Sequence, residues 1–288
     1  STNINIIIGG LSTKELYKDI FKWETHNKID VVTGDGEYIS LDIIRNQVEQ
    51  VPSEFSTNRN LYTIDTSSKY YVKSLNDLKL DRTFFINEPI EHPLGFNEAN
   101  IVTSRGCIFS CAFCAAAYGQ NKKFGIRERS VDSFQKELRL IQSSNQNIDS
   151  IRVLDDLFLK TKRHIDYAIN VFKPFLFSWR SMAHVQTFNK VSVQDMLKLR
   201  DSGCTELFIG IESGSPKILK SINKTSKVDV ILNNLSNVLK AGIAIKAYFI
   251  FGFPNETEED MEQTYQLAYK LSEVAKSNNT HFRTSVFQ

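Results

Sequence analysis

Cysteine is scarce in this chain: four in 288 residues, three of them crowded into one short stretch. That distribution excludes a disulfide framework and favours a reducing compartment. No apolar run approaches the roughly 20 residues of a membrane-spanning helix. The opening STNINIIIGG has neither the basic start nor the small-residue cleavage site of a signal peptide. Neither sign of charge is in excess, with 35 Lys and Arg against 33 Asp and Glu. A net charge of +2 is too mild to argue for a nucleic acid or a membrane as partner. Internal repeats and low-complexity tracts are missing too. These absences predict a soluble, cytoplasmic chain with no nucleic-acid or membrane partner.

What is present is enough apolar material for a sizeable core, 41% hydrophobic and 11% aromatic residues. The length suits one large domain or two ordinary ones. INIIIGG (4–10) and IDVVTGDGEY (29–38) read as strands running into glycine turns. Between them, 12–24 reads as a helix with Leu16, Ile20 and Trp23 at helical spacing and Ser12 as N-cap, and 40–50 reads as a second helix. This is the strand–helix alternation of a parallel α/β unit. Residues 51–98, with three prolines and aromatic groups at KYYVK and RTFFI, read as an ordered connector.

From 99 onward six strand-like runs (99–104, 150–155, 175–182, 205–211, 244–252, 281–287) alternate with helical stretches at 130–145, 162–173, 192–202, 226–241 and 256–276. That is a (β/α) barrel or an open wound sheet, and in either the functional groups gather at the strands' C-terminal ends. The unusual residues obey the rule: RGC and the cysteines follow the first run, Asp155 and Asp156 the second, Trp179 and Arg180 lie late in the third, GIESG ends the fourth and GFPNET the fifth.

Cys107, Cys111 and Cys114 stand three and then two residues apart. Three thiolates hold three corners of a cubane iron–sulfur cluster and leave one iron open for another ligand, whereas closed clusters use four. The small residues Ala115–Ala117 crowd nothing beside it. Structural zinc wants four N/S ligands, and the only candidate fourth thiol is Cys204.

CIFSCAFC, with Phe113 before the last cysteine, resembles the signature of radical S-adenosylmethionine (SAM) enzymes, and VLDDLF, SWRSMAHV, GCTELFIGIESGS and AGIAIKAYFIFGFPNET resemble further segments of that superfamily. The resemblance implies a [4Fe–4S] cluster on the three cysteines, SAM bound to the open iron and its reductive cleavage to a 5′-deoxyadenosyl radical. It also implies a flavodoxin- or ferredoxin-type electron donor and a small-molecule substrate. Carried over residue by residue, Phe113, Asp156, Arg180, Glu212, Ser213, Gly252 and Pro254 are the expected SAM neighbours. For several an ordinary role stands beside this one: a helix-terminal charge for Glu212, a cap for Ser213, a structural salt bridge for Arg180. Of Asp155 and Asp156, one faces the cavity and the other caps or pairs, because neighbours on a strand point opposite ways. In GFPNET an Asn255 replaces the family's second glycine, a swap tolerable because Asn accepts left-handed backbone. Arg127 and Arg129 read as a solvated charged face, with the approach of a phosphate-bearing or carboxylate substrate as the alternative. No residue is assigned a catalytic role.

The N-terminal INIIIGG and VVTGDGEY resemble the second half of the cobalamin-binding domain of one radical SAM subgroup, which implies a corrin near Gly9, Gly10, Gly34, Gly36 and Glu37. SLNDLKLDRTFF (74–85) resembles that subgroup's linker. The subgroup's Asp-x-His-x-x-Gly segment is not found, and the chain stops at SVFQ on the sixth run, so the expectation is an internal part of a longer protein or a truncated relative. The expected fold is a partial (β/α)6 barrel preceded by part of a doubly wound α/β domain, divided as 1–50 cobalamin-binding-like, 51–98 connector and 99–288 radical SAM core. The expected function is cobalamin-dependent methylation or rearrangement at an unactivated carbon. Two alternatives stay open: a cobalamin-independent radical SAM cyclase or dehydrogenase, and a zinc-stapled binding module.

Overall fold

The computed structural model describes residues 4–10, 12–48, 55–56, 58–78, 81–82, 90–91, 95–117, 120–224 and 227–288. Two parallel sheets organise them. The first joins Asn5–Ile8, Lys28–Thr33 and Arg59–Thr63 in parallel, with Phe55–Ser56 antiparallel at its edge. Successive residues of the central strand point to opposite faces. Val31 and Ile29 pack with Ile20 of the helix Thr13–Ile20, while Val32 packs with Ile39 and Ile43 of the helix Ile39–Ile44. Helices on both faces make this a doubly wound unit.

Three sequence expectations change here. The stretch read as a connector contributes the third parallel strand, Arg59–Thr63, because Leu61 and Tyr62 alternate into the two cores. In the first helix only Ile20 of the expected apolar stripe is buried; Leu16 and Trp23 are exposed. Ser12 makes no side-chain cap; Thr13 instead hydrogen-bonds the Gly10 and Val32 carbonyls. The aromatics of KYYVK are covered, with Tyr70 buried and Tyr71 stacked on Phe124, whereas Phe84 and Phe85 lie outside the described residues.

The second sheet carries six parallel strands in sequence order: Asn97–Ile101, Ser150–Val153, Ser178–His184, Cys204–Glu212, Ala244–Ile250 and Phe282–Phe287. An antiparallel Ile90–Glu91 pairs beside the first. Helices such as Val131–Ser144, Lys162–Phe172, Val228–Lys240 and Glu258–Ser277 cover its outer face. Ser130 caps the first of these, and a Thr257/Asp260 capping box starts the last. The core lies between sheet and helices, around Trp179 stacked on Phe172 at 4.6 Å with Phe134 and Phe158 edge-on. Arg180 of the third strand reaches Glu98 of the first, and Arg283 of the sixth reaches Glu206 of the fourth, so the sheet curls around its inner face as a partial barrel. The third strand runs to His184, later than the sequence pattern placed it. Trp179 and Arg180 therefore stand at its start, and His184 stands at the rim. Among the described residues no helix is long and apolar enough to cross a membrane.

Candidate functional site

After the first barrel strand, Ser104–Arg105 pairs antiparallel with Arg127–Glu128, and the loop between them holds the three cysteines. Gly106 opens the loop at φ +87°, where a Cβ would meet the Gly125 carbonyl at 2.9 Å, so glycine is required by both conformation and space. Asp155 is buried and accepts from the Thr103 amide and hydroxyl (both 2.6 Å) and from Ser104 Oγ (2.7 Å). Its neighbour Asp156 turns the other way, accepts from the Gly106 amide at 3.0 Å and lines a cavity. Asp155 is thus the anchor and Asp156 the cavity-facing carboxylate.

The loop is tied to the barrel from the far side as well. The Ala112 amide donates to the Ile222 carbonyl at 3.0 Å, and Phe109 stacks on His184 at 3.7 Å. The Phe109 amide points at Cys107 Sγ, 3.5 Å away. All three thiols are free and part-exposed. Burial pushes the Cys107 and Cys111 thiols above the ordinary thiol range. Cys204, the fourth, sits fully inside the core opposite Trp179, and burial drives its thiol far up. That removes the only fourth thiol of a zinc site. Among the described residues no three His, Cys, Asp or Glu side chains converge as a single ion requires. Three soft donors spread over one loop suit a multi-atom cluster better than a lone ion.

Glu212 ends the fourth strand at φ +69°, a left-handed conformation uncommon for a side-chain-bearing residue. It is buried, and Lys224 Nζ lies 3.0 Å from Oε1 and 2.6 Å from the Gly210 carbonyl. Lys224 escaped the sequence reading because it follows Glu212 by twelve residues with no periodic signal. His184 also escaped, through the misplaced strand end. Its Nδ1 accepts from the Gln186 amide at 3.1 Å, and burial, reinforced by Lys224, lowers its pKa to about 3. His184 is therefore a neutral, buried ring against the cysteine loop.

The remaining SAM expectations divide. Phe113 is exposed at the rim, its ring 6.0 Å from Phe253 in the turn that contains Gly252 and Pro254. Glu256 accepts from the Gly252 amide at 2.6 Å to close that turn, and Asn255 stands at φ +63°, the left-handed conformation for which Asn is suited. Ser213 is buried, accepts from the Ser215 amide at 3.0 Å and lies 3.1 Å from Thr264 Oγ1. Its hydroxyl is committed to the scaffold, and Ser215 rather than Ser213 caps the helix Pro216–Ser221. Arg180 pairs with Glu98 and Glu206 low in the barrel, the structural salt bridge that stood beside its expected SAM role. Glu212 does not sit at a helix N-terminus.

A cavity of about 700 Å³ opens where the two sheets meet, lined by Gly10, Gly34, Gly36 and Glu37 from the first and by Gly106, Ala115 and Asp156 from the second. Gly9 is not among its lining residues. Arg105 and Arg127 cross the boundary: Arg105 pairs with Asp35 at 2.7 Å and with Glu37, and Arg127 Nη2 pairs with Asp35 at 3.1 Å. Burial works to raise the Asp35 carboxyl, but the two guanidinium groups outweigh it and hold it below the ordinary range. Arg127 and Arg129, expected on a solvated face, are paired instead, Arg127 half-buried against Asp35 and Arg129 buried against Glu137. A Cβ at Gly34 (φ +110°) would meet Ile64 at 3.0 Å, so the fold itself demands that glycine. At Gly10 a Cβ would find open space, and at Gly36 only Ser40 Oγ at 3.6 Å. Both are bare toward the cavity.

A three-thiol loop on the C-terminal rim of a six-stranded parallel half-barrel suits an iron–sulfur cluster held by three cysteines. The chain belongs to the radical SAM superfamily: residues 101–268, more than half of it, match that family. The family implies SAM and a [4Fe–4S] cluster. An uncharacterised methyltransferase of Pyrococcus horikoshii is 35% identical over 59% of this chain and 36% of its own length. The bacteriochlorophyllide d C-12(1)-methyltransferase of Chlorobaculum tepidum is 26% identical over 82% of this chain and 51% of its own. The chain thus spans between about a third and a half of these relatives. Apo OxsB, a cobalamin-dependent SAM radical enzyme, superposes with a TM-score of 0.66 at 15% identity, over 96% of this chain and 47% of that one.

Proposed function

We propose that this chain is the SAM-cleaving part of a cobalamin-dependent methyltransferase that alkylates an unactivated carbon of a small molecule. The observation that carries the cobalamin reading is the shared cavity, walled on one side by glycine turns and on the other by the cysteine loop. Gly10 and Gly36 leave backbone bare where a flat macrocycle would approach, and a Cβ at either would intrude on that space. The names of the methyltransferase relatives and the OxsB-like fold point the same way.

In this reading Cys107, Cys111 and Cys114 hold the cluster. When bound, the cluster, SAM and corrin supply the electron-transfer and methyl chemistry. The chain's own residues do the positioning. Asp156 fixes the loop through the Gly106 amide, Lys224 holds Glu212 at the rim for a SAM polar group, and Phe113 with Gly252 and Pro254 forms the wall for the adenine. The neutral His184 and the Phe109 ring it stacks on close the inner side against water. Arg105 and Arg127 keep the two sheets in register around the cavity.

The deciding measurement is cofactor content after anaerobic reconstitution of the full-length protein with iron, sulfide and hydroxocobalamin. Retention of a corrin along with the cluster supports the reading. A cluster with SAM cleavage but no corrin, even when corrin is supplied during refolding, leaves the cobalamin-independent radical SAM enzyme.

A further inference from the structure

The outer face of the barrel strands is apolar, but the inner face carries a layer of charge. Glu98, Arg152, Arg180, Glu206, Lys246 and Arg283 share it, one from each strand. Both carboxylates are already used. Glu98 takes Arg180 at 2.8 Å through Nη2, and Glu206 takes Arg283 in a two-pronged pair at 2.6 Å as well as Arg180 at 3.4 Å. Arg152 and Lys246 are left over. Among the described residues neither has a carboxylate in ion-pair range, and Arg152 Nε is buried without a hydrogen-bond partner. The Arg152 guanidinium lies over the Phe208 ring at 5.4 Å, the Lys246 ammonium over Tyr248 at 5.4 Å, and the Oδ1 of Asn100, which faces Arg152 across the strands, is also unsatisfied. Four cations face two carboxylates, so the layer is positive overall, and burial, then Arg283, lowers the Lys246 pKa even though Glu206 opposes it.

Arg152 and Lys246 are half-buried, and unpaired cations so placed repel one another and lose part of their hydration, which a fold tolerates where a ligand supplies the missing charge. We propose that Arg152 and Lys246 form an anion subsite inside the barrel that receives a phosphate or carboxylate group of the substrate. This rests on the radical SAM reading of the rim above it. Arg152 stands three residues before Asp155, so the anion lies about 10 Å along the strand from the rim. The substrate class is accordingly an elongated molecule with an acidic end buried in the barrel and its reacting carbon at the cysteine loop. Arg152 offers a planar fork for two oxygens, and Lys246 a point charge.

The test is calorimetric titration of the reconstituted protein with inorganic phosphate and, separately, with acetate, for wild type, Arg152→Gln, Lys246→Gln and the double variant. The expected result is one site for at least one anion, weakened by about tenfold in each single variant and lost in the double. Phosphate alone or acetate alone assigns the acidic group. No binding by wild type, or undiminished binding in the double variant, overturns the proposal. Thermal unfolding at low salt separates ligand binding from scaffolding: relief of repulsion should leave the melting temperature of the variants equal or higher. A fall of several degrees in both single variants would assign the pair to the fold instead and overturn it. Iron content and 5′-deoxyadenosine formation by wild type report on the radical SAM reading independently of either anion.

Discussion

Lys224 and Glu212 form a buried ion pair at the barrel rim, 3.0 Å apart, with the carboxylate on a residue at φ +69°. Strained backbone beside a buried charge pair is a configuration that a fold retains at sites of binding. If Glu212 meets SAM, Glu212→Gln and Lys224→Met should each keep the cluster and weaken SAM binding by about 1–3 kcal/mol. Each should also lower stability by about 3–5 kcal/mol, because one charge is left buried alone. SAM titration of the cluster-loaded variants checks this, and unchanged affinity would return the pair to the scaffold.

Cysteine replacement separates ligands from core. Ala at Cys107, Cys111 or Cys114 should abolish the brown chromophore and the binding of about four irons per chain. Cys204→Ala should retain both, since that thiol is buried among apolar side chains. Iron and sulfide analysis after anaerobic reconstitution decides the matter, and loss of iron in Cys204→Ala would show the ligand set to be wrong.

The glycines at the shared cavity make a graded series. Gly36→Val finds ordinary space and no positive φ, so it should fold normally yet fail to retain a corrin, with iron content intact. Gly34→Val should lower stability by several kcal/mol, because a left-handed conformation costs about 1–2 kcal/mol and its Cβ would press on Ile64 at 3.0 Å. Corrin absorbance and urea unfolding distinguish the two. Equal corrin retention by Gly36→Val and wild type would remove the cavity from the argument for cobalamin.

His184 predicts a pH dependence for the cluster-free protein. Its folded pKa, lowered to about 3 by burial and by Lys224, lies below the ordinary 6.5, so the unfolded state binds the extra proton. Stability is full above about pH 7 and should fall by about 1.4 kcal/mol per unit as pH drops below the ordinary histidine value. Glu128, held at about 2 by its bond to His164 and by Lys160, is depressed from 4.5 and adds its own loss only below that value. The window between 4.5 and 6.5 therefore belongs to His184. Urea unfolding at pH 5.5 and 7.5 should show the slope in wild type and a flatter one in His184→Gln; identical slopes would refute it.

Much of this architecture is legible along the chain because it depends on neighbours in sequence. The order of six strands and their helices follows from local periodicity, and the three thiols of the cysteine loop follow from spacing alone. The left-handed turn at Asn255 is likewise a property of the residue itself. What the tertiary structure decided depends on partners far apart. Asp155 became the anchor because Thr103, 52 residues away, offers it two donors, which left Asp156 to the cavity. Arg180 took its structural role because Glu98, 82 residues distant, pairs with it. Arg59–Thr63 became a strand because a neighbouring strand offered it two hydrophobic faces. The paired Lys224 and the unpaired Arg152 look alike in sequence, and only the chain's path in three dimensions returns one to Glu212 and leaves the other without a carboxylate.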